Sequence, residues 1–381
     1  MIALQMAILI LLLFYTITIL IVFYGLRFRQ AAGKPPTGKV SIVIAARNEE
    51  RSIDNLLQDL CRQSFPASRL EILVADDNSS DQTAAIVQKY ASLHKHIILI
   101  QVPSPPKGVS PKKFALSRAI QQSSGEFILT TDADCRVGPR WIETMMSYFQ
   151  PTTGFVIGFS QFGRKGEKLN RIERLQAFDF VELMSVAVAS THIGMPLAAS
   201  GQNMAYRRTA FEQVGGYSRV AHRISGDDVL LMQLIRKYTD WKIVFAQHPE
   251  AFASSRPQPT LKSLVNQRKR WASNSTAQFS LNLVFFLYLV LAWSLNTAVL
   301  FFPIASLCTG NSLGFWLAVM AIKASLEGLL ALKAVSMFDR RDLLCEFPLW
   351  FFAQIPYIVF VGLLGTVGKF QWKDRQHRAI P

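Results

Sequence analysis

Cysteine is scarce in this 381-residue chain: Cys61, Cys135, Cys308 and Cys345 are scattered and show no metal-ligand spacing. That excludes a disulfide scaffold and a thiolate zinc site, and it suits free thiols in a reducing compartment. The histidines (His94, His96, His192, His222, His248 and His377) show no pairing at helical spacing and read as structural or surface groups. Three sequence signatures are also missing: a nucleophile elbow, a Gly-Lys-Ser/Thr phosphate loop and a Gly-x-Gly-x-x-Gly turn. Their absence removes the hydrolase, P-loop and dinucleotide readings. No internal repeat and no low-complexity tract is present. Charge is missing altogether from about 2–24, and that absence is the first positive clue.

An uncharged apolar run of that length is enough to span a bilayer. No basic residue precedes it and no clear small-residue cleavage site follows, so an uncleaved anchor is expected rather than a signal peptide. Half of the chain is hydrophobic, and the far end supplies more runs, at about 279–308, 313–338 and 347–370. The middle run carries Lys323, Glu327 and Lys333. Charges in a membrane helix face protein or a polar cavity, and Lys323 and Glu327 are spaced to pair on one helix face. An interfacial helix with its charges among headgroups is the alternative.

Arg27, Arg29, Lys34 and Lys39 follow the first run, so the positive-inside rule puts about 27–278 in the cytosol. The uncharged loop Thr309-Gly310-Asn311-Ser312 suits the outside and Asp339-Arg340-Arg341-Asp342 the inside. Four spans would then leave the basic 369–378 tail outside, against the rule. Either the run containing Pro348 and Pro356 is re-entrant or interfacial, or another run does not span. The net charge of +15 comes without a nucleic-acid motif, so no nucleic-acid partner is expected. Basic residues beside apolar runs meet anionic lipid, and clefts lined with them attract phosphates.

Between the apolar ends, 33–38 (Gly-Lys-Pro-Pro-Thr-Gly) is a linker by composition. The spacing then predicts strands at 40–45, 70–75, 97–102 and 126–131, and helices at 49–63, 81–93 and 112–122. This alternation argues for an α/β fold with a mainly parallel sheet covered by helices on both faces, in which ligands sit beyond the carboxyl ends of the strands. The polar clusters fall there: Ala46-Arg47-Asn48-Glu49-Glu50, Asp76-Asp77-Asn78-Ser79-Ser80-Asp81 and Asp132-Ala133-Asp134. One such cluster is an ordinary helix cap; several on one sheet edge mark a site.

Asp132 and Asp134, one residue apart at a strand end, suit a hard divalent cation, Mn²⁺ or Mg²⁺, with positions left for diphosphate oxygens. Asp77 is placed to accept hydrogen bonds from a base or ribose, and Ala46, Asn48 and Glu49 stand beside it as donor contacts. Ser200-Gly201-Gln202-Asn203 reads equally as an ordinary turn or as a site where Gly201 permits close backbone approach, with Gly201 and Asn203 as acceptor-side candidates. Asp227 and Asp228 open a helical run, where one Asp is normally a cap and a carboxylate can also be a general base. In Gln267-Arg268-Lys269-Arg270-Trp271, a basic headgroup-level segment is the bland reading. The functional one is Arg270 neutralising a leaving diphosphate, with the Trp271 face stacking on a sugar or acceptor.

In this order the motifs resemble the membrane-type family 2 glycosyltransferases, over about 40–271, with the flanking apolar runs where that family has them. The resemblance implies a GT-A nucleotide-sugar-binding fold and an inverting single displacement. It implies nucleotide contact by Asp77, metal and diphosphate binding by Asp132 and Asp134, and Asp228 as general base. Gln267, Arg270 and Trp271 match a Gln-x-x-Arg-Trp signature. The usual Glu-Asp pair is here Asp227-Asp228, which keeps the base and leaves Asp227 among the donor contacts. The tail Gln371-Trp372-Lys373-Asp374-Arg375 resembles a Trp-Lys-Gly-Arg ending with Asp in place of Gly.

The expected organisation is an anchor at 1–26, a linker at 27–39, a cytosolic GT-A domain at 40–260, an interfacial segment at 261–278, a membrane region at 279–370 and a basic tail at 371–381. The expected activity is sugar transfer from a nucleotide sugar to a lipid or lipid-linked (or glycan) acceptor at a bacterial inner membrane. A processive synthase is the alternative, since homo-oligomerisation could build a channel from few helices. A scaffold that binds nucleotide sugar without turnover would not need Asp132, Asp134 and Asp228, and a transporter would need more spans.

Overall fold

The computed structural model describes residues 1–309, 312–372 and 375–378. Gly310 and Asn311 of the uncharged loop, and Lys373 and Asp374 of the tail motif, lie outside the described residues. The chain forms two compact units. A sheet unit comprises Arg29–Arg164 and Ser190–Pro257, and a helical unit comprises Met1–Phe28, Lys165–Ala189 and Gln258–Pro381.

The elements run in order α1 (Ile2–Gly25), β1 (Val40–Ala46), α2 (Ile53–Cys61), β2 (Leu70–Asp76), α3 (Thr83–Leu93), β3 (Ile97–Gln101), α4 (Pro111–Gln122), β4 (Phe127–Thr130) and β5 (Arg136–Val137). They continue with α5 (Trp141–Met146), β6 (Thr153–Gly158), β7 (Ser160–Phe162), α6 (Arg171–His192), β8 (Met204–Arg207), α7 (Arg208–Gln213), α8 (Val229–Tyr238), β9 (Lys242–Ala246) and β10 (Ala253–Ser255). The last are α9 (Leu261–Ala272), α10 (Ser275–Leu281), α11 (Leu283–Cys308), α12 (Gly314–Met337), α13 (Phe347–Val367), β11 (Lys369–Trp372) and β12 (Arg375–Arg378).

The main sheet has the order β3-β2-β1-β4-β8-β6-β9. Pairing is parallel except at β8, which runs antiparallel to both β4 and β6. The alternation expected of a parallel sheet therefore holds through β4, and one reversed strand makes the sheet mixed. Successive residues of β1 point to opposite faces. Val40, Ile42, Ile44 and Ala46 join Leu56, Leu57, Leu60, Trp141 and Met145 in one core, so α2 and α5 cover that face. Helix α4 packs on β1 and β2, with Ala115, Leu116, Ala119 and Ile120 buried. A second sheet, β5-β10-β7, lies in the same unit.

Helix α2 begins four residues later than its apolar spacing predicts. Asn48 takes a left-handed backbone (φ 53) and the Glu49 N–H donates to Thr83 Oγ1 at 2.7 Å, so 47–50 is a loop tied to the next strand-to-helix turn. Helix α3 begins at Thr83 rather than at Asp81, because the Asp81 carboxylate accepts the Thr83 N–H and hydroxyl instead of entering the helix.

In the helical unit, α1, α11, α12 and a segment ending in α13 are long and apolar enough to cross a membrane. Helix α13 is continuous over Phe347–Val367, with Pro348 in its first turn and Pro356 inside it. Lys323 and Glu327 do pair along α12, at 2.7 Å, and both are buried. These two charges face protein rather than headgroups, since Glu327 also accepts from Tyr15 Oη on α1 and from Gln354 Nε2 on α13, whereas Lys333 is exposed.

One boundary differs from the sequence reading. Residues 165–189, placed at first inside a single 40–260 domain, belong to the helical unit. Asp179 on α6 pairs with Arg268 on α9 at 2.6 Å, and a Cβ on Gly25 would lie 2.4 Å from the Ala189 carbonyl oxygen, so α1 and α6 meet backbone to backbone.

Candidate active site

The parallel strands β1, β2 and β4 end on the same edge of the sheet, and the polar clusters follow them there. After β1, Ala46 is buried in the strand and its carbonyl accepts the Asp77 N–H at 2.8 Å. Arg47 Nη1 donates to the Asp77 carbonyl at 2.7 Å and stands 3.8 Å from Asp77 Oδ2. Asn48 Oδ1 accepts the Ser80 N–H, and the Asn48 N–H donates to Ser79 Oγ. Asn48 and Glu49 thus knit the β1 and β2 loops together and hold Asp77, itself nearly buried, at the strand ends. Asp76 Oδ1 is buried with no hydrogen-bond partner among the described residues.

The second group is built around a lysine. Lys112, in the first turn of α4, places Nζ 2.7 Å from Asp132 Oδ1 and 2.8 Å from Asp227 Oδ2. Asp227 is buried, and Asp132 is partly open to solvent with its second oxygen not hydrogen-bonded. Asp228 caps α8: Oδ1 accepts the Val229 N–H at 2.6 Å and Oδ2 accepts the Gly201 N–H at 3.0 Å. A Cβ on Gly201 would stand 3.0 Å from Asp227 Oδ2, 3.4 Å from Lys112 Nζ and 3.7 Å from Asp228 Oδ2. Gly201 is therefore where the backbone comes close to both acids. Asp134 is half-buried, two residues along from Asp132.

The charges shift one another in opposite senses. Burial lowers the Lys112 pKa, but Asp132 and Asp227 more than reverse this and hold it above the ordinary lysine value. Burial raises Asp227, yet the Lys112 ammonium carries it below the usual carboxylate range. Asp228 is raised, by burial first and then by the Asp227 charge. Adjacent carboxylates pushed apart in this way take different roles, one held ionised and one poised to take a proton. Lys113 donates to the Arg223 and Ser225 carbonyls, and burial brings its pKa to about 8. The Cys135 thiol is pushed up by burial and then by Asp134 and Asp132, which makes it a poor nucleophile.

Asn203 corrects the sequence reading. Its side chain is fully buried. Oδ1 accepts from Trp141 Nε1 at 2.9 Å, while Nδ2 donates to the Phe159 and Ala251 carbonyls at 2.8 and 2.7 Å. A side chain so placed joins the β6–β7 junction, α5 and the turn before β10 and has no reach toward an acceptor. Asn203→Ala is expected to strand an indole N–H and two carbonyls in the core, lowering stability by roughly 3–5 kcal/mol, read as a lower melting temperature with nucleotide affinity retained in the folded fraction.

The Gln-x-x-Arg-Trp residues lie on α9 of the helical unit. Thr260 and Ser263 form a capping box that starts this helix. Trp271 packs on Phe180 with ring centroids 5.9 Å apart, and the guanidinium over its ring, at 4.3 Å, belongs to Arg268. Gln267 Oε1 is buried with no hydrogen-bond partner among the described residues, whereas Arg270 is engaged.

Sequence reasoning missed Lys112, Gln202 and Arg268. A signal was available for Lys112. Pro111-Lys112-Lys113 opens a helix, where the dipole disfavours positive charge, so two lysines there need carboxylates to hold them. Gln202 donates to Ser255 Oγ, leaves Oε1 buried without a hydrogen-bond partner among the described residues, and offers its carbonyl to Thr131 Oγ1; nothing in its sequence position announces this.

Comparison with known proteins agrees with this fold. Residues 41–215 match the glycosyl transferase family 2 model. A beta-monoglucosyldiacylglycerol synthase of Synechocystis sp. is 27% identical over 252 residues, 65% of this chain and 50% of that protein. The probable glycosyltransferase YdaM of Bacillus subtilis is 29% identical over 250 residues, 61% of this chain and 54% of that one. The chain thus spans about half the length of the curated relatives it matches. Among solved structures, the mannosyltransferase PcManGT of Pyrobaculum calidifontis, in complex with GDP-Man and Mn²⁺, superposes with a TM-score of 0.62 at 20% identity. The match covers 93% of this chain and 98% of that one, a likeness of fold. With a mixed sheet of GT-A type, helices on both its faces and acidic clusters at its strand ends, residues 41–215 form a glycosyltransferase family 2 domain.

Proposed function

We propose that this protein is an inverting glycosyltransferase of the hexosyltransferase type. It moves a sugar from a nucleotide-sugar donor to a lipid or lipid-linked acceptor at the cytosolic face of a bacterial inner membrane. The observation that carries the reading is the convergence of Lys112, Asp227 and Asp228 on Gly201, with Asp132 joined to them through Lys112. The lipid acceptor follows from the apolar helices and from relatives named as glycolipid synthases, and the cytosolic face from the basic residues after α1.

In this reading Asp77 meets the nucleoside, supported by Arg47, and Asp228 removes the proton of the acceptor hydroxyl. As that oxygen bonds to the anomeric carbon, the carbon's bond to the diphosphate breaks on the opposite face and configuration inverts. Two carboxylate lone pairs of Asp228 are taken by backbone N–H groups, and others remain for the proton. Lys112 supplies positive charge beside the departing diphosphate, and Asp227 keeps that lysine ionised and in place. Gln267, Arg270 and Trp271 are assigned to the donor as well, with Trp271 and Gly201 toward the acceptor.

Asp132 and Asp134 fit a divalent cation. Asp132 keeps one oxygen not hydrogen-bonded and partly open to solvent, and both groups are hard oxygen donors. Among the described residues no three His, Cys, Asp or Glu side chains form a ready-made site. That suits Mg²⁺ or Mn²⁺ held by one or two carboxylates and completed by substrate phosphates. When bound, the ion neutralises charge on the diphosphate. Chelation is therefore expected to lower transfer by at least about 100-fold, with recovery on adding Mn²⁺.

The test uses the purified protein in nanodiscs with radiolabelled nucleotide sugars, Mn²⁺ and total membrane lipid. Label entering the organic phase supports the reading. Label retained as polymer would replace it with a processive synthase, and full activity in chelator would remove the metal.

A further inference from the structure

Successive residues of a strand point to opposite faces of its sheet. In the second sheet, β5-β10-β7, the row Val137, Ala253 and Ser160 is buried. The adjoining row, Arg136, Ser254 and Gln161, therefore points the other way. Ser255, one residue on, returns to the first face, where it accepts from Gln202 Nε2 at 2.8 Å beside Gly201. Ser255 thus faces the Gly201 group of acids, and Ser254 faces away from it. On the Ser254 side lies a cavity of about 450 Å³.

Arg62, Arg136 and Arg164 line this cavity, and Asp59 is the only carboxylate in its wall among the described residues. Glu250, next to the lining Pro249, is paired with Arg140. Two of the guanidiniums are held from behind by buried groups. Asp59 takes Arg136 through both oxygens, Nε at 2.6 Å and Nη2 at 2.8 Å, which leaves Nη1. Ser254 accepts from Arg164 Nε at 3.0 Å. Arg62, at the end of α2, is exposed and makes no ion pair with a described residue. Arginines fixed in this way are pre-organised for a ligand instead of following solvent.

Three guanidiniums against one carboxylate leave two positive charges. A carboxylate ligand would neutralise one of them. A phosphate monoester is close to a dianion at neutral pH, so it neutralises both, and its oxygens match the guanidinium fork. Pro249 and Phe252 add an apolar wall, and a cavity of this size has room for the group that carries the phosphate.

We propose that this cavity binds a phosphate monoester, at a site separate from the one that holds the nucleotide sugar. The site stands whether or not sugar transfer is the activity.

Equilibrium dialysis of radiolabelled orthophosphate against the full chain in phosphatidylcholine nanodiscs tests it, in chelator and without nucleotide sugar. A single saturable site is expected. Arg62→Leu and Arg164→Leu should each weaken it at least about tenfold, because a hydrogen bond to a charged group is lost. Gly138 lines the same cavity, with a backbone angle open to any residue, and a Cβ there would meet nothing within 4 Å. Gly138→Phe should therefore fill the cavity, keep every arginine and block binding. All three variants should melt like the wild type when phosphate is absent. Lys112→Met, which removes positive charge from the other site, should bind within about twofold of wild type. Phosphatidic acid in the nanodisc and glycerol 3-phosphate in solution are the competitors. Displacement by the first supports the site and assigns it to a lipid headgroup; displacement by the second alone supports it and assigns a soluble phosphate ester. Displacement by neither would reduce the site to an adventitious ion only. No saturable binding, wild-type binding by both arginine variants, or loss in Lys112→Met alone would each overturn the proposal, the last by placing the phosphate in the donor site.

Discussion

Replacing Asp228 with asparagine is expected to lower the rate of sugar transfer by about 1,000-fold, within the span seen for loss of a positioned general base. Affinity for the nucleotide sugar should change less than twofold. The geometry separates the two effects. Asp228 is held by the Gly201 and Val229 N–H groups, and neither needs the negative charge to stay in place. Asparagine keeps the shape, cannot accept a proton and turns its amide nitrogen toward one of those N–H groups, at a modest cost in stability.

The pH profile carries a second check on the same residue. The base works ionised, and burial followed by the Asp227 charge raises its pKa, so activity should fall as pH drops through a value above the usual carboxylate range. The groups that set that limb are Asp227, Lys112, Lys113 and Tyr217. Asp227→Asn removes the charge that opposes ionisation, so the acid limb should move to lower pH. A limb that stays in place, or an Asp228→Asn variant within tenfold of wild type, would end the assignment.

Lys112→Met is expected to cost stability as well as activity. Its ammonium is the counter-charge for buried Asp227, and removing one partner of a buried pair typically costs about 3–5 kcal/mol. For a unit of this size that is a fall in melting temperature on the order of 10 °C. Asp227 is the depressed-pKa case: its stabilisation is present above the unfolded carboxylate pKa and is lost as pH falls through the lower folded value. The gap between wild type and Lys112→Met should therefore be full at pH 7 and close below about pH 4. Lys112→Met combined with Asp227→Asn removes both charges and should recover much of the melting temperature without recovering transfer. A single variant that melts like wild type would show that Lys112 is not the counter-charge.

The parallel half of the fold was legible because its signals are local. β1 and β2 contain unbroken apolar runs at 42–46 and 72–75, and polar residues follow them because helices must be entered from the strand ends. The apolar helices were legible for the same reason, since length and composition alone decide whether a segment can cross a bilayer. The reversal of β8 was not, because strand direction depends on where the chain returns rather than on the four residues of the strand.

Asp132, Asp134 and Asp228 stand out as candidates from their own positions in the chain. That Gly201 sits against Asp227, Asp228 and Lys112, and that Lys112 joins acids far away in sequence, came only from the packed structure. The same packing withdrew Asn203 from the site, since an amide beside a sheet edge and an amide bonded to Trp141 look identical in sequence. It also moved residues 165–189 out of the sheet unit, where Asp179, paired with Arg268, would otherwise pass for a surface charge. The order of strands, helices and acids along the chain is set by neighbouring residues. Which polar group pairs with which, and which is left over for a ligand, is set by distances that only tertiary contact fixes, because hydrogen bonds and ion pairs act over a few ångströms in space whatever their separation in sequence.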